Sequence, residues 1–500
     1  MHKIWIALIS GMLLPCAFAP CDIYPLGFIA PLAIYLISEE SPPHIALRYG
    51  YIFGLTYFGI GVSWIFISIH EMGHLPVITA GFLTLLLIGF LSIFPALQSY
   101  VIARFFAPKV AIHAVLTFPA VWVSSEIFRS WIFTGFPWLI IGYSQIDAPL
   151  GGLAPIFGVL GISFFTIMTG GLLLTIVRSN NWRKQFGWGI TLLILWGGAI
   201  AVKDIQWTIP SGAPVRMSLI QVAIPQQVRW APEARLTSIR RYLELTRNNW
   251  GAQLIIWPEN SLTIFYQDAR QFLNTLTTEA QEHGAELLIG LPIRSTEDSK
   301  IYYNGLVSLP SQQFYFKRHL VPFTEFLPLK QTFGPLIDFL NAPMSNFSHG
   351  PDIQVPLFLA GHKVGVSICY EAAFPDEIAR FLPEAEILIN VSNDGWFGNS
   401  LAPYQNLQMA RMRAIESQRW LVRSTNTGIS AIIRPSGKID DQSPLFQDAV
   451  VTADVSPLQG QTPYIRFGDA PLWILIIFGL SAKRVVEFVT YFNNGRSQRV

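Results

Sequence analysis

Residues 362–377 read HKVGVSICYEAAFPDE, and the rest of the chain is organised around them. Val364 to Ile368 alternates in apolar character as a short buried strand does. It delivers Cys369, Tyr370 and Glu371 to its end. Pro375 then sits where a first helical turn tolerates a missing N–H, with Asp376 and Glu377 beside it. A cysteine at such a strand-to-helix corner is exposed at a sheet edge near a helix N-terminus, where a thiolate is favoured. The plain alternative is a small buried hydrophobe, as most free cysteines are. Cys369 is also far from the other two cysteines, Cys16 and Cys21, which fall in an apolar stretch. Three cysteines make no disulfide framework.

Outward from this stretch the chain divides between two solvents. It is 51% hydrophobic and only 13% charged, against about 25% charged in ordinary soluble domains. Of the 66 Asp, Glu, Lys and Arg residues, 46 lie in 204–469, 15 precede that segment and 5 follow it. The expected organisation is therefore a helical membrane domain over 1–203 with about seven spans, a water-facing domain over 204–469, a transmembrane helix over 470–490 and a cytoplasmic tail over 491–500. Candidate spans near the ~20 residues a bilayer needs are 4–20, 23–38, 50–70, 76–103, 110–126, 154–177, 187–202 and 470–490. The first two are short and flank Pro15, Pro20 and Asp22, so two spans and a re-entrant pair are both open readings. An apolar run that continues past Ala19 argues for a membrane-resident segment over a cleaved leader.

Basic residues set the orientation. Lys3, Arg48, Arg104, Lys109, Arg178, Arg183, Lys184, Lys483, Arg484, Arg496 and Arg499 share one side, and only Arg129 falls in a short loop on the other. The 204–469 domain is thereby expected outside the cytoplasm. Glu71, Glu126 and Arg129 lie near span ends, and interfacial anchoring with a Glu126–Arg129 helical pair accounts for them better than a transport path. No internal repeat of the transporter kind is visible. The net charge of +2 argues against a polyanionic partner, and neither a nucleic-acid stripe nor a metal-ligand spacing is present.

From Val215 onward short strands alternate with amphipathic helices, an α/β pattern. Three strand ends carry reactive groups: Glu259 after LIIWP, Lys317 after QFYF and Cys369 after VGVSI. On neighbouring strands these would converge, giving a base for the thiol proton, a cation for the developing oxyanion and a sulfur nucleophile.

WPE around Glu259, Lys317 at its strand end and CYE at 369–371 resemble the Glu-Lys-Cys triad of the nitrilase (carbon-nitrogen hydrolase) superfamily. YFKRHLVPFTEFLPL (315–329), SNDGWFG (392–398), QMARMRA (408–414), RSTNTG (423–428), TPYIRFGD (462–469) and TGFPWLIIGYSQ (134–145) are similar to one branch, the apolipoprotein N-acyltransferases. The resemblance covers essentially the whole chain. It implies an α-helical polytopic membrane domain joined to an α/β nitrilase-like (αββα sandwich) extracytoplasmic domain. It further implies a multi-pass protein of the bacterial inner membrane, with the catalytic domain on the periplasmic side. Acyl transfer would run from a phospholipid, typically phosphatidylethanolamine, through a thioacyl enzyme at Cys369 to the α-amine of a lipoprotein's diacylglyceryl-cysteine, without cofactor or metal. Glu259 matches the general base, Lys317 the oxyanion lysine and Glu325 a second, supporting carboxylate. Tyr370, Glu371 and Trp230 match positions beside the site. QVAIPQ (221–226) departs slightly from the family pattern at Val222–Ala223. The apolar loop residues Phe265, Phe323, Phe326, Leu327, Leu329, Phe333, Phe339 and Leu340 suit either an acyl-entry lid or loop packing. The rivals are a membrane-tethered amidase that hydrolyses its thioester with water, and a transporter or receptor whose outer domain only binds ligand.

Overall fold

The computed structural model describes residues 2–106, 110–298, 300–322, 324–326 and 346–482. The chain separates into two compact units, one of residues 1–63, 81–205 and 466–500, the other of residues 64–80 and 206–465.

The first unit is helical. Three of its described helices are long and apolar enough to cross a bilayer: Val77–Phe105, Pro149–Arg178 with its short lead-in, and Trp182–Val202. Pro43–Gly61 joins them as a fourth if it is counted with Trp64–Met72 as one broken span, and His2–Ala17, Leu26–Glu39 and Ala470–Ala482 are shorter apolar helices. Lys109, Lys483, Arg484, Arg496, Arg499 and the end of the expected last span and tail lie outside the described residues.

Between Phe118–Arg129 and the helix that starts at Ala154 the backbone runs through short 3-10 turns, Ile132–Thr134, Ile141–Gln145 and Pro149–Leu153. Irregular backbone in an apolar unit must find polar partners within the protein. Glu126 and Arg129, each 3% exposed, supply them. Glu126 Oε1 accepts from the Ile141 N–H at 2.9 Å and from Trp122 Nε1 at 3.0 Å. Arg129 Nη1 donates to the carbonyls of Phe136, at 2.9 Å, and Trp138, while Tyr57 Oη donates to that of Leu139 at 2.7 Å. The two residues are therefore buried caps of an irregular segment, where interfacial anchors were expected.

Among the described residues the second unit holds fourteen strands: β1 (Thr208–Pro210), β2 (Val215–Gln221), β3 (Leu254–Ile256), β4 (Glu286–Arg294), β5 (Tyr302–Leu309), β6 (Phe314–Phe316), β7 (Leu357–Leu359), β8 (His362–Ile368), β9 (Ile387–Ser392), β10 (Leu421–Thr425), β11 (Ala431–Ile433), β12 (Ile439–Gln442), β13 (Ala449–Val455) and β14 (Leu458–Gly460). They form two six-stranded sheets, ordered β13-β2-β3-β4-β5-β6 and β12-β11-β10-β9-β8-β7, plus a β1–β14 ribbon. Near-continuous apolar runs such as Ile387–Val391 suit strands covered on both faces. One face of each sheet meets the other sheet: Met217, Leu219, Ile256 and Leu288 pack in one cluster with Val364, Val366, Ile389 and Val422. The outer face of the first sheet receives Pro232–Arg247 and Arg270–Glu282, where Tyr242, Leu273 and Leu276 pack on Ile255, Trp257 and Ile289. Leu407, Ala410 and Ala414 of the helix Ala402–Ser417 pack within the cluster that joins the two sheets. The result is the four-layer αββα sandwich.

Strand direction places the reactive residues. β2, β3 and β4 are mutually parallel, β5 is antiparallel to β4, and β6 is antiparallel to β5, so β6 again points the way β3 does. Its carboxyl end carries Lys317 to the same edge as Glu259. β8, β9 and β10 are likewise parallel, and their carboxyl ends carry Cys369, Asn393 and Asn426.

Candidate functional site

Glu259, Lys317 and Cys369 stand on strands that are not neighbours. Glu259 follows β3 and Lys317 follows β6, with β4 and β5 between, and Cys369 comes from the opposite sheet. The simple convergence of adjacent strand ends read from the sequence is corrected to convergence across the sandwich.

The turn at Cys369 is strained. Cys369 begins a 3-10 turn, Cys369–Ala373, that intervenes before the short helix Pro375–Ala379, and its φ is +52°. A left-handed non-glycine residue costs about 1–3 kcal/mol and persists only where its surroundings impose it. Glu371, fully buried, imposes it here. One of its oxygens accepts from the Ile368 N–H at 2.6 Å and from Tyr315 Oη at 2.9 Å, and the other from the N–H groups of Arg318 at 2.6 Å and His319 at 3.2 Å. One carboxylate thus ties the residue before the cysteine to the residues after the lysine. Burial raises its pKa above the usual carboxylate range, against the pull of those donors. Tyr370 packs edge-on against Phe374 and His319.

Lys317 is 1% exposed. Its Nζ donates to Glu325 at 2.9 Å and to Glu259 Oε1 at 3.3 Å. Burial works against the ammonium, but Glu259, Glu325 and Cys369 outweigh it and hold the lysine charged, above its ordinary value. Asn304 completes the arrangement. Its main-chain oxygen accepts from the Lys317 N–H at 2.8 Å, and its Nδ2 donates to Glu259 Oε1 at 2.7 Å and Glu325 Oε1 at 3.0 Å. Lysine and asparagine therefore span the same two carboxylates.

The second oxygen of Glu259 accepts from the Asn393 N–H at 2.7 Å. A carboxylate has about four lone-pair directions. Among the described residues three are filled, two on Oε1 and one on Oε2, so Oε2 is the oxygen that can take a proton. The backbone of Glu259 is fixed as well: its carbonyl accepts from Asn426 Nδ2 at 3.0 Å and Arg229 Nη2 at 3.3 Å. Beneath it Gly290 of β4 comes so close that a Cβ there would stand 2.3 Å from the Pro258 oxygen and 2.9 Å from Glu259 Cα. Any side chain at 290 would push Glu259 out of place.

The thiol is not the thiolate that a helix N-terminus would favour. Burial, then the charge of Glu259, raises Cys369 to about 12, with Asp394 adding to the rise and Lys317 and the Ser392 hydroxyl opposing it. A protonated thiol beside a carboxylate is arranged for proton removal during attack, in place of a standing thiolate. Asp394 is itself locked, paired with Arg423 at 2.9 Å with both side chains fully buried, and it accepts from Ser392 Oγ at 2.7 Å.

Of the residues singled out in the sequence, Glu259, Lys317, Cys369, Glu325 and Glu371 belong to this one buried network. Trp230 is 47% exposed and, among the described residues, has no hydrogen bond into it; its neighbour Arg229 does. Asn304 and Arg229 escaped the sequence reading, while Asn393 and Asn426 stood in SNDGWFG and RSTNTG without a role of their own. Phe265 packs on Tyr302 and under Arg294, and Phe326 on His349, so these two serve loop packing. Phe323, Leu327, Leu329, Phe333, Phe339 and Leu340 lie outside the described residues.

Comparison with known proteins bears on both units. Residues 10–172 match the family model of the apolipoprotein N-acyltransferase N-terminal domain, and residues 216–464 that of carbon-nitrogen hydrolase. Apolipoprotein N-acyltransferase of Methylococcus capsulatus is 42% identical over 476 residues, covering 94% of each chain. That of Coxiella burnetii is 38% identical, over 95% of this chain and 98% of its own. The chain belongs to the apolipoprotein N-acyltransferase family. Among solved structures, Saccharomyces cerevisiae Nit3, of the nitrilase superfamily, is similar at 18% identity over 49% of this chain and 91% of that one, with a TM-score of 0.37. Family membership makes the chain a bacterial membrane N-acyltransferase with a nitrilase-like domain.

Proposed function

We propose that this N-acyltransferase acylates the N-terminal diacylglyceryl-cysteine of lipoproteins in two half-reactions, with a membrane phospholipid, typically phosphatidylethanolamine, as acyl donor. In the first, Glu259 Oε2 takes the Cys369 thiol proton as sulfur attacks the ester carbonyl carbon. Lys317 Nζ faces the oxyanion that forms. When the intermediate collapses, the carbon–oxygen bond to the lysophospholipid breaks and the leaving oxygen takes the proton back from Glu259. In the second, the α-amine attacks the thioester, gives a proton to Glu259 and becomes an amide, and the sulfur leaves and regains that proton. Glu325 and Asn304 hold the lysine and the base in place, and Glu371 holds the nucleophile turn. Neither half needs a cofactor or metal.

The observation that carries this reading is the buried ion-paired set of Glu259, Lys317 and Glu325, whose charges act on the buried Cys369 thiol. The segregation of Lys and Arg supports the bacterial inner membrane as location, with residues 204–469 on the periplasmic side. An alkaline phosphatase fusion near residue 300 should be active in cells; an inactive one, with a cytoplasmic reporter active there, reverses the orientation.

Intact mass tests the chemistry. With phospholipid alone the protein should gain one acyl chain, removable by neutral hydroxylamine. A peptide with a free α-amine on its diacylglyceryl-cysteine should discharge it, and an N-acetylated peptide should not. Free fatty acid as the only product would make the protein a hydrolase. An adduct on another residue, or transfer by Cys369→Ala, would remove Cys369 as nucleophile.

A further inference from the structure

In sequence, Trp64–Met72 lies between two apolar helices, Pro43–Gly61 and Val77–Phe105, yet residues 64–80 group with 206–465. Their partner there is the loop 392–398. Ser68 Oγ donates to the Trp396 carbonyl at 2.7 Å, and the Trp64 ring meets that of Phe397 edge-on at 4.9 Å. Gly398, with φ of +54°, lies so close to Ile67 that a Cβ would stand 2.8 Å from its Cγ2. The arm ends in a wide turn, Ser68–Met72, closed by the Gly73 N–H on the Ser68 carbonyl at 3.0 Å and by His70 Nδ1 with the Leu75 carbonyl at 2.7 Å. Single wide turns of this kind inside helices are frequent at functional sites. Here Ser68 faces a carbonyl outside its own helix.

The same loop begins with the residue that touches the base. Asn393 gives its N–H to Glu259 Oε2, its Nδ2 donates to Gln226 at 3.0 Å, and its Oδ1 accepts from the Gly395 N–H at 3.3 Å. The residues under the arm, Trp396 to Gly398, lie within or directly after the 3-10 turn Asp394–Phe397 that follows Asn393, and its closing bond, Gly398 N–H to Gly395 carbonyl, is long at 3.4 Å. The loop is thus held at its start by Gln226 and by the Ser392–Asp394–Arg423 cluster, and at its end by the arm.

We propose that the arm Trp64–Met72, with Ser68 as its polar contact, is a positioning element for Glu259: it fixes loop 392–398 and through the Asn393 N–H sets the direction in which Oε2 accepts a proton. The inference rests on the reading of Glu259 as general base. It makes a segment inserted among the apolar helices part of the proton-transfer machinery, without contact to substrate.

The test uses the full chain in detergent or vesicles, with the rate of thioester formation from phosphatidylethanolamine as readout. Ser68→Ala should slow acylation about 3- to 10-fold, the scale of one neutral hydrogen bond, with KM for phospholipid unchanged within about twofold. Ser68→Thr, which keeps the hydroxyl, should restore most of the rate. In a Glu259→Gln background Ser68→Ala should add less than about twofold, since groups acting as a unit are not additive. Full activity in Ser68→Ala overturns the proposal, as does a full multiplicative loss on top of Glu259→Gln or a change confined to KM. Near-normal acylation by Glu259→Gln alone removes the base itself, a failure distinct from that of the arm.

Discussion

Glu259→Gln should move two properties of Cys369 in opposite directions. The substitution keeps size and removes the charge that, after burial, does most to hold the thiol protonated at about 12. At pH 8 a thiol with that value is about one part in 10⁴ thiolate. Loss of an adjacent carboxylate charge lowers a thiol by roughly 1–3 units, which multiplies the thiolate about 10- to 1000-fold. Nucleophilicity falls with thiol pKa at about half that logarithmic slope, so the net gain in alkylation by iodoacetamide is about 3- to 30-fold. Acyl transfer should instead collapse, by about 10²-fold or more, because the base that takes the proton during attack is gone. The assay is alkylation of Cys369 followed by mass from pH 7 to 10, beside single-turnover acylation from phospholipid. In the wild type the alkylation rate should climb tenfold per pH unit across the whole window, since the thiol titrates above it. A wild-type plateau below pH 9, or a Gln variant that is slower in both assays, would refute the view that Glu259 keeps the thiol protonated.

Lys317→Arg should be nearly as damaging as Lys317→Ala, about 10²–10³ in acylation rate. The planar guanidinium cannot reproduce a compact ammonium between two carboxylates, and an Arg variant of near-normal rate would mean that a diffuse positive field suffices. Asn304→Ala should leave Glu259 and Glu325 each short of a donor and lower acylation about 10-fold with little change in phospholipid KM; a change in KM alone would place Asn304 in substrate binding. Asp394→Asn leaves Arg423 buried without a counter-charge. It should destabilise the second unit by about 3–5 kcal/mol, seen as a lower thermal midpoint of the purified protein, and an unchanged midpoint would show that the pair is not a stability element.

The α/β character, the two media and the strand-end residues Glu259, Lys317, Cys369 and Glu371 were legible because each leaves a local mark, whereas Glu325 came only through the family resemblance. Apolar runs of strand length mark β8 and β9, and a carboxylate, a lysine or a cysteine at the end of such a run stands out. The resemblance then supplied the roles. What was not legible depends on direction and register. That β6 runs the same way as β3, and so brings Lys317 beside Glu259 across the two intervening strands, follows from the turns that reverse β5. Asn304, Asn393 and Asn426 are ordinary loop and strand-edge residues until the backbone places their amides on Glu259. The thiol's protonated state was misread because its burial and the negative charge facing it arise only in the assembled sandwich. Glu126 and Arg129 looked like interfacial residues because the irregular backbone they cap has no sequence mark as plain as a helix period.

Among the described residues, three of the about four lone-pair directions of Glu259 are already taken, by Lys317, Asn304 and the Asn393 N–H. Every proton that enters or leaves this carboxylate must then use one doorway, on Oε2. In the proposed cycle the departing alcohol and the arriving amine would need that doorway in turn and could not share it. On the proposed mechanism the enzyme would have to clear the first product before it admits the second substrate, so a slow-leaving lysolipid would throttle the whole cycle, and adding more lipoprotein acceptor would not relieve it.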